Sequence, residues 1–180
     1  MTTVQLLLTL LLSTPVRQGT ESTEELNARL ESIAEDAFAV APTVDDALLI
    51  LAVAQHESGF ALDVDKGPCR AGTCDSGRAA CMMQIHASTQ RRAELFADRR
   101  ECFRVGLAAL KSSMASCREN DEATKLAQYA SGTCLRGKKG ARELHRGWLN
   151  WRARYVKALQ KELTGRVSMV APAGAIHGER

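Results

Sequence analysis

The sequence predicts a mainly α-helical fold, and three observations carry that prediction. Helix-start signatures recur ahead of apolar residues spaced three and four apart. One of the resulting helices is apolar on nearly every side, as a helix at the centre of a domain is. No pair of segments alternates apolar and polar residues as two strands of a hairpin would. At 180 residues the chain fits one domain with short tails.

The helices follow in order. Ser22 and Glu25 have capping-box spacing, and Leu26, Leu30, Ile33, Ala37 and Val40 then recur on one face. Pro42 ends that helix. Thr43 and Asp46 start the next, which runs through Ala47-Leu48-Leu49-Ile50-Leu51-Ala52-Val53-Ala54 and stops near Glu57-Ser58-Gly59, where Gly59 can take the left-handed cap. Ala61 to Ala80 reads as a long loop rich in Gly, Asp and Cys, and a loop of that length inside a domain is usually functional. A short apolar segment, Met82 to Ile85, follows it. Ser88 caps a short helix through Phe96. Asp98 and Glu101 open another, with Phe103, Leu107, Leu110 and Met114 on one side. Asn120 or Asp121 caps a helix carrying Ala123, Leu126, Ala127 and Ala130, which Gly132 stops. A last helix over Gly140 to Leu163 has Leu144, Trp148, Tyr155 and Leu159 inward, with Trp148 in the core and Trp151 at the rim.

Residues 20–164 are thus the expected domain and 165–180 a loose tail. Residues 1–19 contain the apolar run Val4 to Leu12, too short to cross a membrane as a helix and of a length that suits a signal-peptide core. No Lys or Arg precedes the run, and Ser13-Thr14-Pro15 is a poor cleavage site, so a membrane-associating anchor or a mis-assigned start are the alternatives.

Hydrophobic residues make up 45% and charged residues 25%, as in an ordinary soluble globular protein, but aromatics are only 4%. The core must rest on Leu, Ala, Val and Met, which leaves little stability in surplus. Six cysteines, Cys69, Cys74, Cys81, Cys102, Cys117 and Cys134, can supply more as disulfides, and their number points to an oxidising compartment. The Cys69–Cys81 region can hold a local bridge, and Cys117 and Cys134 can tie the ends of the segment between them. Cys102 and Cys117 would lie ~22 Å apart on one helix, too far to bond. Cys69, Cys74, Cys81 and His86 are close enough to suggest four zinc ligands, but their spacing fits no knuckle pattern. No metal or other cofactor is expected. There is no GxSxG elbow, phosphate-binding loop or HExxH helix.

Net charge is +3, unevenly spread. Residues 20–46 are mainly acidic and Arg136 to Arg166 strongly basic. A basic face attracts anionic cell-wall polymers, nucleic acid or phospholipid; a solvated helix face is the plainer alternative.

Glu57 is the first residue to weigh for chemistry. A carboxyl at the close of an apolar helix is half sunk in surroundings that disfavour its charged form, which raises its pKa. Such a group holds its proton near neutral pH and can donate it to a leaving oxygen. His56 and His86 flank the same region and are more simply packed or hydrogen-bonded.

Three short words stand in order around Glu57: Glu57-Ser58-Gly59-Phe60, then Cys81-Met82-Met83-Gln84-Ile85, then Gln128-Tyr129-Ala130-Ser131-Gly132. Over roughly residues 43–135 the chain resembles the lysozyme-like lytic transglycosylases of the soluble (SLT) type, whose words are Glu-Ser-x-Phe, Gly-Leu-Met-Gln-Ile and Ala-Tyr-Asn-x-Gly. The resemblance implies an SLT-type, lysozyme-like helical domain with a long Gly- and Cys-rich loop. It makes Glu57 the single catalytic acid and Ser58 a neighbour of the substrate. Met83 and Gln84 become the pair lining the groove, with Gln84 on the glycan, and Tyr129 the tyrosine that reaches towards the catalytic carboxyl. Cys81 replaces the family's Gly, and Ser131-Gly132 stands where Asn-x-Gly is usual, as in a disulfide-bearing offshoot among phage and secreted versions.

The implied activity is cleavage of the β-1,4 bond between N-acetylmuramic acid and N-acetylglucosamine, with a 1,6-anhydro product. The partner is then the peptidoglycan glycan strand. Cell-wall or membrane association is consistent with that, nucleic acid is not expected as a partner, and the chain is expected to act as a monomer. It would be secreted, periplasmic or phage-associated. Asp63, Asp65 and Asp75 lie just after Glu57, and one of them holding a water would make the enzyme a hydrolytic lysozyme. A wall-binding part that kept the fold and lost activity is the non-enzymatic alternative.

Overall fold

The computed structural model describes residues 1–17, 19–67, 69 and 74–170, with side chains described as far as Thr164. It is mainly helical, as expected. In chain order the elements are α1 (Thr3–Leu12), α2 (Thr23–Val40), α3 (Val44–Ser58), α4 (Leu62–Lys66), α5 (Cys74–Gly77), β1 (Ala79–Ala80), β2 (Ile85–His86), α6 (Thr89–Ala97), α7 (Arg99–Ser116), a 3-10 turn (Glu122–Thr124), α8 (Ala127–Ser131) and α9 (Lys138–Val170).

The helix starts follow their caps. The Ser22 hydroxyl accepts from the Glu25 N–H while the Glu25 carboxylate accepts from the Ser22 N–H, a complete capping box. Thr43, Ser88 and Asp98 each accept from the N–H three residues on. Gly59 and Gly132 close α3 and α8 in the left-handed conformation, with φ of 58° and 77°.

Helix α3 is the axis of the core. Every residue from Ala47 to Ala54 is buried, and α2, α7 and α9 pack around it. An all-apolar helix has nowhere else to go. Helix α1 lies against α2 and α9 and buries Leu6, Leu7, Leu10 and Leu11. The run weighed as a signal or anchor thus joins the main core here. Arg154 of α9 donates to the Leu10 carbonyl and to the Ser13 and Thr14 hydroxyls, placing a cation at the carbonyl end of α1. No described helix is long and apolar enough to cross a membrane.

Several expectations need correction. The stretch from Ala61 to Ala80 is not all loop: it holds α4, α5 and β1. A strand pair does exist, with Ala79 opposite His86 and Ala80 opposite Ile85 in an antiparallel register. At two residues each, the strands are too short to show any alternation. The helix expected from Asn120 or Asp121 breaks into the 3-10 turn and α8, and Asp121 makes no side-chain cap. Helix α9 begins at Lys138 rather than Gly140. Its backbone continues to Val170, into the expected tail, of which residues 171–180 lie outside the described residues. The two tryptophans exchange roles. Trp151 is fully buried, donates from Nε1 to the Gln55 side chain at 2.8 Å and meets Phe60 edge-on, while Trp148 is only half-buried. Leu159, expected inward, is exposed.

Three disulfides are formed: Cys69–Cys74, Cys81–Cys102 and Cys117–Cys134. The first is the local bridge expected in the Cys69–Cys81 region, and the third ties the segment it was expected to tie. The second joins the turn before β2 to α7 and had no signal in the spacing. Each cysteine of the four-ligand zinc set is therefore oxidised, and Cys81 is bonded away from the other two.

Candidate active site

Helix α3 delivers Glu57 to a cleft of about 760 Å³. The cleft is walled by the end of α3, Asp75 and Ala79, the turn from Met83 to His86, and α8 from Gln128 to Gly132, with Ala109 and Ser112 of α7. Glu57 is half-buried, and burial raises its carboxyl above the usual carboxylate range, opposed by the neighbouring His56. The carbonyl end of α3 adds to the disfavour of a negative charge there. No described residue hydrogen-bonds the Glu57 side chain. The last turn of α3 is held from two sides, by the Trp151 hydrogen bond to Gln55 and by the Arg17 N–H donating to the Gly59 carbonyl at 2.8 Å.

Ser58 does not line the cleft. It is buried, its hydroxyl donating to the Ala54 carbonyl at 2.6 Å and accepting from the Phe60 N–H at 3.1 Å. Its work is to finish α3 and turn the chain, with Phe60 left-handed just beyond at φ 54°. Placement beside substrate, implied by the resemblance, does not fit this geometry.

Met83 and Gln84 do reach the cleft. The Met83 side chain is fully buried and seated on Gly106 of α7. A Cβ at Gly106 would lie 2.7 Å from Met83 Cε and 2.8 Å from its Cγ, so only glycine admits the turn this close. Gln84 has φ 48°, and its amide donates to the Cys81 carbonyl at 3.1 Å and to Cys74 Sγ at 3.5 Å. Cys81, also left-handed at φ 55°, is pinned by its disulfide to Cys102.

Tyr129 lines the opposite wall. Its hydroxyl donates to the Met83 carbonyl at 2.6 Å, and its N–H donates to Ser113 Oγ at 3.0 Å. Burial, together with the nearby charge of Glu57, pushes the phenol well above its ordinary range. Tyr129 thus stays neutral and feels the carboxyl electrostatically, while its hydrogen bond goes to backbone.

No family model, curated protein or solved structure matches this chain. The site stands on its own residues.

The three loop aspartates separate cleanly. Asp65 is buried and held by Arg99 Nε and Nη2 at 2.8 and 2.9 Å, with Arg29 at 3.6 Å, so it is structural. Asp63 borders a different hollow, beside Glu21, Glu25 and Arg29. Asp75 lines the cleft with Glu57. Its carboxylate meets His86 Nε2 at 3.1 Å and Arg78 Nη2 at 2.9 Å. It sits in a run of three left-handed residues, Cys74, Asp75 and Ser76 (φ 51°, 47° and 57°), a costly backbone that recurs at functional sites. His56 is exposed beside Glu57. Among the described residues no cluster of His, Cys, Asp or Glu could hold a metal ion.

Sequence reasoning missed Ser113, Gly106, Ala109, Ser112 and Gln128. The α7 residues have a signal in retrospect: Gly106, Ala109 and Ser112 recur every three positions, a small-residue face that lets a turn and a cleft approach the helix. Gln128, whose Oε1 is buried without a partner among the described residues, stands beside Tyr129 in the third word. Ser113 gives no sequence sign, because its two partners come from the segment after α7.

Proposed function

We propose that this protein cleaves the glycan strands of bacterial peptidoglycan, with Glu57 as general acid and then general base. One observation carries the reading: a half-buried carboxyl, raised in pKa by burial, opens into a cleft walled by Met83, Gln84 and Tyr129. Protonated Glu57 gives its hydrogen to the glycosidic oxygen between N-acetylmuramic acid and N-acetylglucosamine, and that bond breaks. The carboxylate so formed takes a proton from the muramic 6-hydroxyl as that oxygen closes on the anomeric carbon. The product carries a 1,6-anhydro ring, and Glu57 is protonated again. A raised pKa suits both steps, since the group must hold a proton first and recover one afterwards. The fold implied is lysozyme-like, and the three words that resemble the SLT-type lytic transglycosylases support it.

A hydrolytic outcome is the second reading, favoured by Asp75. That carboxylate lines the same cleft and is held by His86 and Arg78. Positioning a water on the far face of the sugar would give a free reducing end instead. Three disulfides fit action outside the reducing cytosol, in a secreted, periplasmic or phage-borne protein.

Mass spectrometry of muropeptides released from purified sacculi tests the reading. Anhydro ends are the expected result. Reducing ends transfer the assignment to the hydrolytic reading, and bound but uncut strands to a wall-binding role.

A further inference from the structure

Helix α9 turns Ala141, Leu144 and Trp151 into the core, yet it also carries an apolar stripe that nothing covers. Leu149, Val156 and Leu163 are 45%, 50% and 56% exposed. They recur every seven residues, and the helical pitch places all three within roughly 40° of arc. Leu159, also exposed, borders the same stripe. A lone exposed leucine is ordinary, whereas several lined up on one helix form a patch that marks an interaction surface.

The charge beside the stripe has one sign. Arg142, Arg146, Lys157 and Lys161 are exposed on the arc that adjoins it on the solvent side. None of the four has a carboxylate partner among the described residues. Arg152 does have one, pairing with Asp45 at 2.7 Å while it covers the Trp148 ring. Glu143 and Glu162 are half-buried, and Glu162 pairs with the amino group of Met1. Every exposed charge on α9 from 142 to 164 is therefore positive.

This combination chooses between occupants. A second copy laid along the stripe as a heptad seam would set cations against cations. A soluble polyanion would use the charge and leave the apolar stripe in water. An anionic bilayer uses both, because apolar side chains enter the boundary between headgroups and acyl chains while Lys and Arg meet the headgroups. We propose that α9 docks on an anionic lipid bilayer, lying along its surface because the stripe covers only one side of the helix. This docking does not depend on the glycan-cleaving reading, and its test is separate from any assay of Glu57.

Cosedimentation of the full chain with lipid vesicles provides that test. Mixed vesicles of phosphatidylcholine and phosphatidylglycerol are compared with vesicles of phosphatidylcholine alone. The mixed vesicles are expected to bind at least about tenfold tighter. Two variants separate the contributions: Leu149→Gln with Val156→Gln and Leu163→Gln, and Arg142→Gln with Arg146→Gln, Lys157→Gln and Lys161→Gln. Each is expected to weaken binding to the mixed vesicles by about tenfold and to leave the melting curve unchanged, since all the positions are exposed. No binding, or equal binding to both kinds of vesicle, overturns the proposal. Binding that survives the apolar substitutions also overturns it, because the contact would then be adsorption of charge alone, as on any polyanion. Sedimentation velocity without lipid is expected to show a monomer; a dimer that the apolar substitutions dissolve would give the stripe to a second copy instead.

Discussion

The Tyr129 hydroxyl donates to the Met83 carbonyl at 2.6 Å, and this bond joins the two walls of the cleft across which Glu57 opens. It gives Tyr129 a role as a positioning residue. The resemblance had implied that Tyr129 reaches for the carboxyl; here it braces the turn that frames it.

Tyr129→Phe removes the donor and leaves a partly buried carbonyl without its partner. The expected cost is about 1 kcal/mol in stability and about tenfold in lysis. Urea unfolding and the rate of turbidity loss of cell walls measure the two. An unchanged lysis rate would make the hydroxyl irrelevant to the site.

Gly106→Ala tests the fit beneath Met83. In an open helix this change stabilises by about 1 kcal/mol. Here the added Cβ meets the Met83 side chain, and the expected net result is a loss of about 1–3 kcal/mol from overpacking, with weaker lysis. Combining it with Met83→Ala should cost less than the two single changes summed, because the contacts to Met83 Cε and Cγ disappear and only the one to Cβ, at 3.0 Å, remains. Additive losses would show that the two residues do not press on each other.

The raised pKa of Glu57 has a consequence for stability against pH. The folded protein holds this proton more tightly than the unfolded chain does. Its contribution is therefore fully present below the ordinary carboxyl pKa and is lost as pH rises through the folded value. Glu57→Gln has no such group. The melting temperature of the variant should match or trail wild type in acid and overtake it as pH climbs through that window. Parallel curves at all pH values would mean that Glu57 is not perturbed.

The left-handed backbone at Cys81 can be tested without its disulfide. Removing the Cys81–Cys102 bond should cost about 2–4 kcal/mol. Of two disulfide-free proteins, Cys81→Gly with Cys102→Ala should be the more stable by about 1 kcal/mol over Cys81→Ala with Cys102→Ala, since only glycine takes φ 55° without strain. Equal denaturant midpoints would place residue 81 in ordinary backbone.

What could be read from the sequence was mostly local. Ser22, Thr43, Ser88 and Asp98 announce helices because a cap and its partner lie three residues apart, and Gly59 and Gly132 announce stops for the same short-range reason. The burial of α3 followed from its having no polar face. Illegible features were tertiary. The exchange of Trp148 and Trp151 depends on Gln55, which offers Trp151 a partly buried acceptor 96 residues away in sequence. The Cys81–Cys102 bond depends on α7 lying behind the turn. For the site, Glu57, Met83, Gln84 and Tyr129 gather around one cleft, a grouping that the resemblance implied, while Ser58 turns inward because its hydroxyl is consumed by Ala54 and Phe60. Asp75 was one of three equal-looking aspartates until the Arg29–Asp65–Arg99 cluster claimed one and a separate hollow another.

The most direct measurement is wall lysis by Glu57→Gln protein whose circular dichroism and melting match a folded chain. The amide keeps the shape of the side chain and removes the proton it donates. Lysis is expected to fall to background, with no anhydro muropeptides released. Undiminished lysis by that folded variant would contradict the account, because the hydrogen given to the sugar bridge would then come from another group.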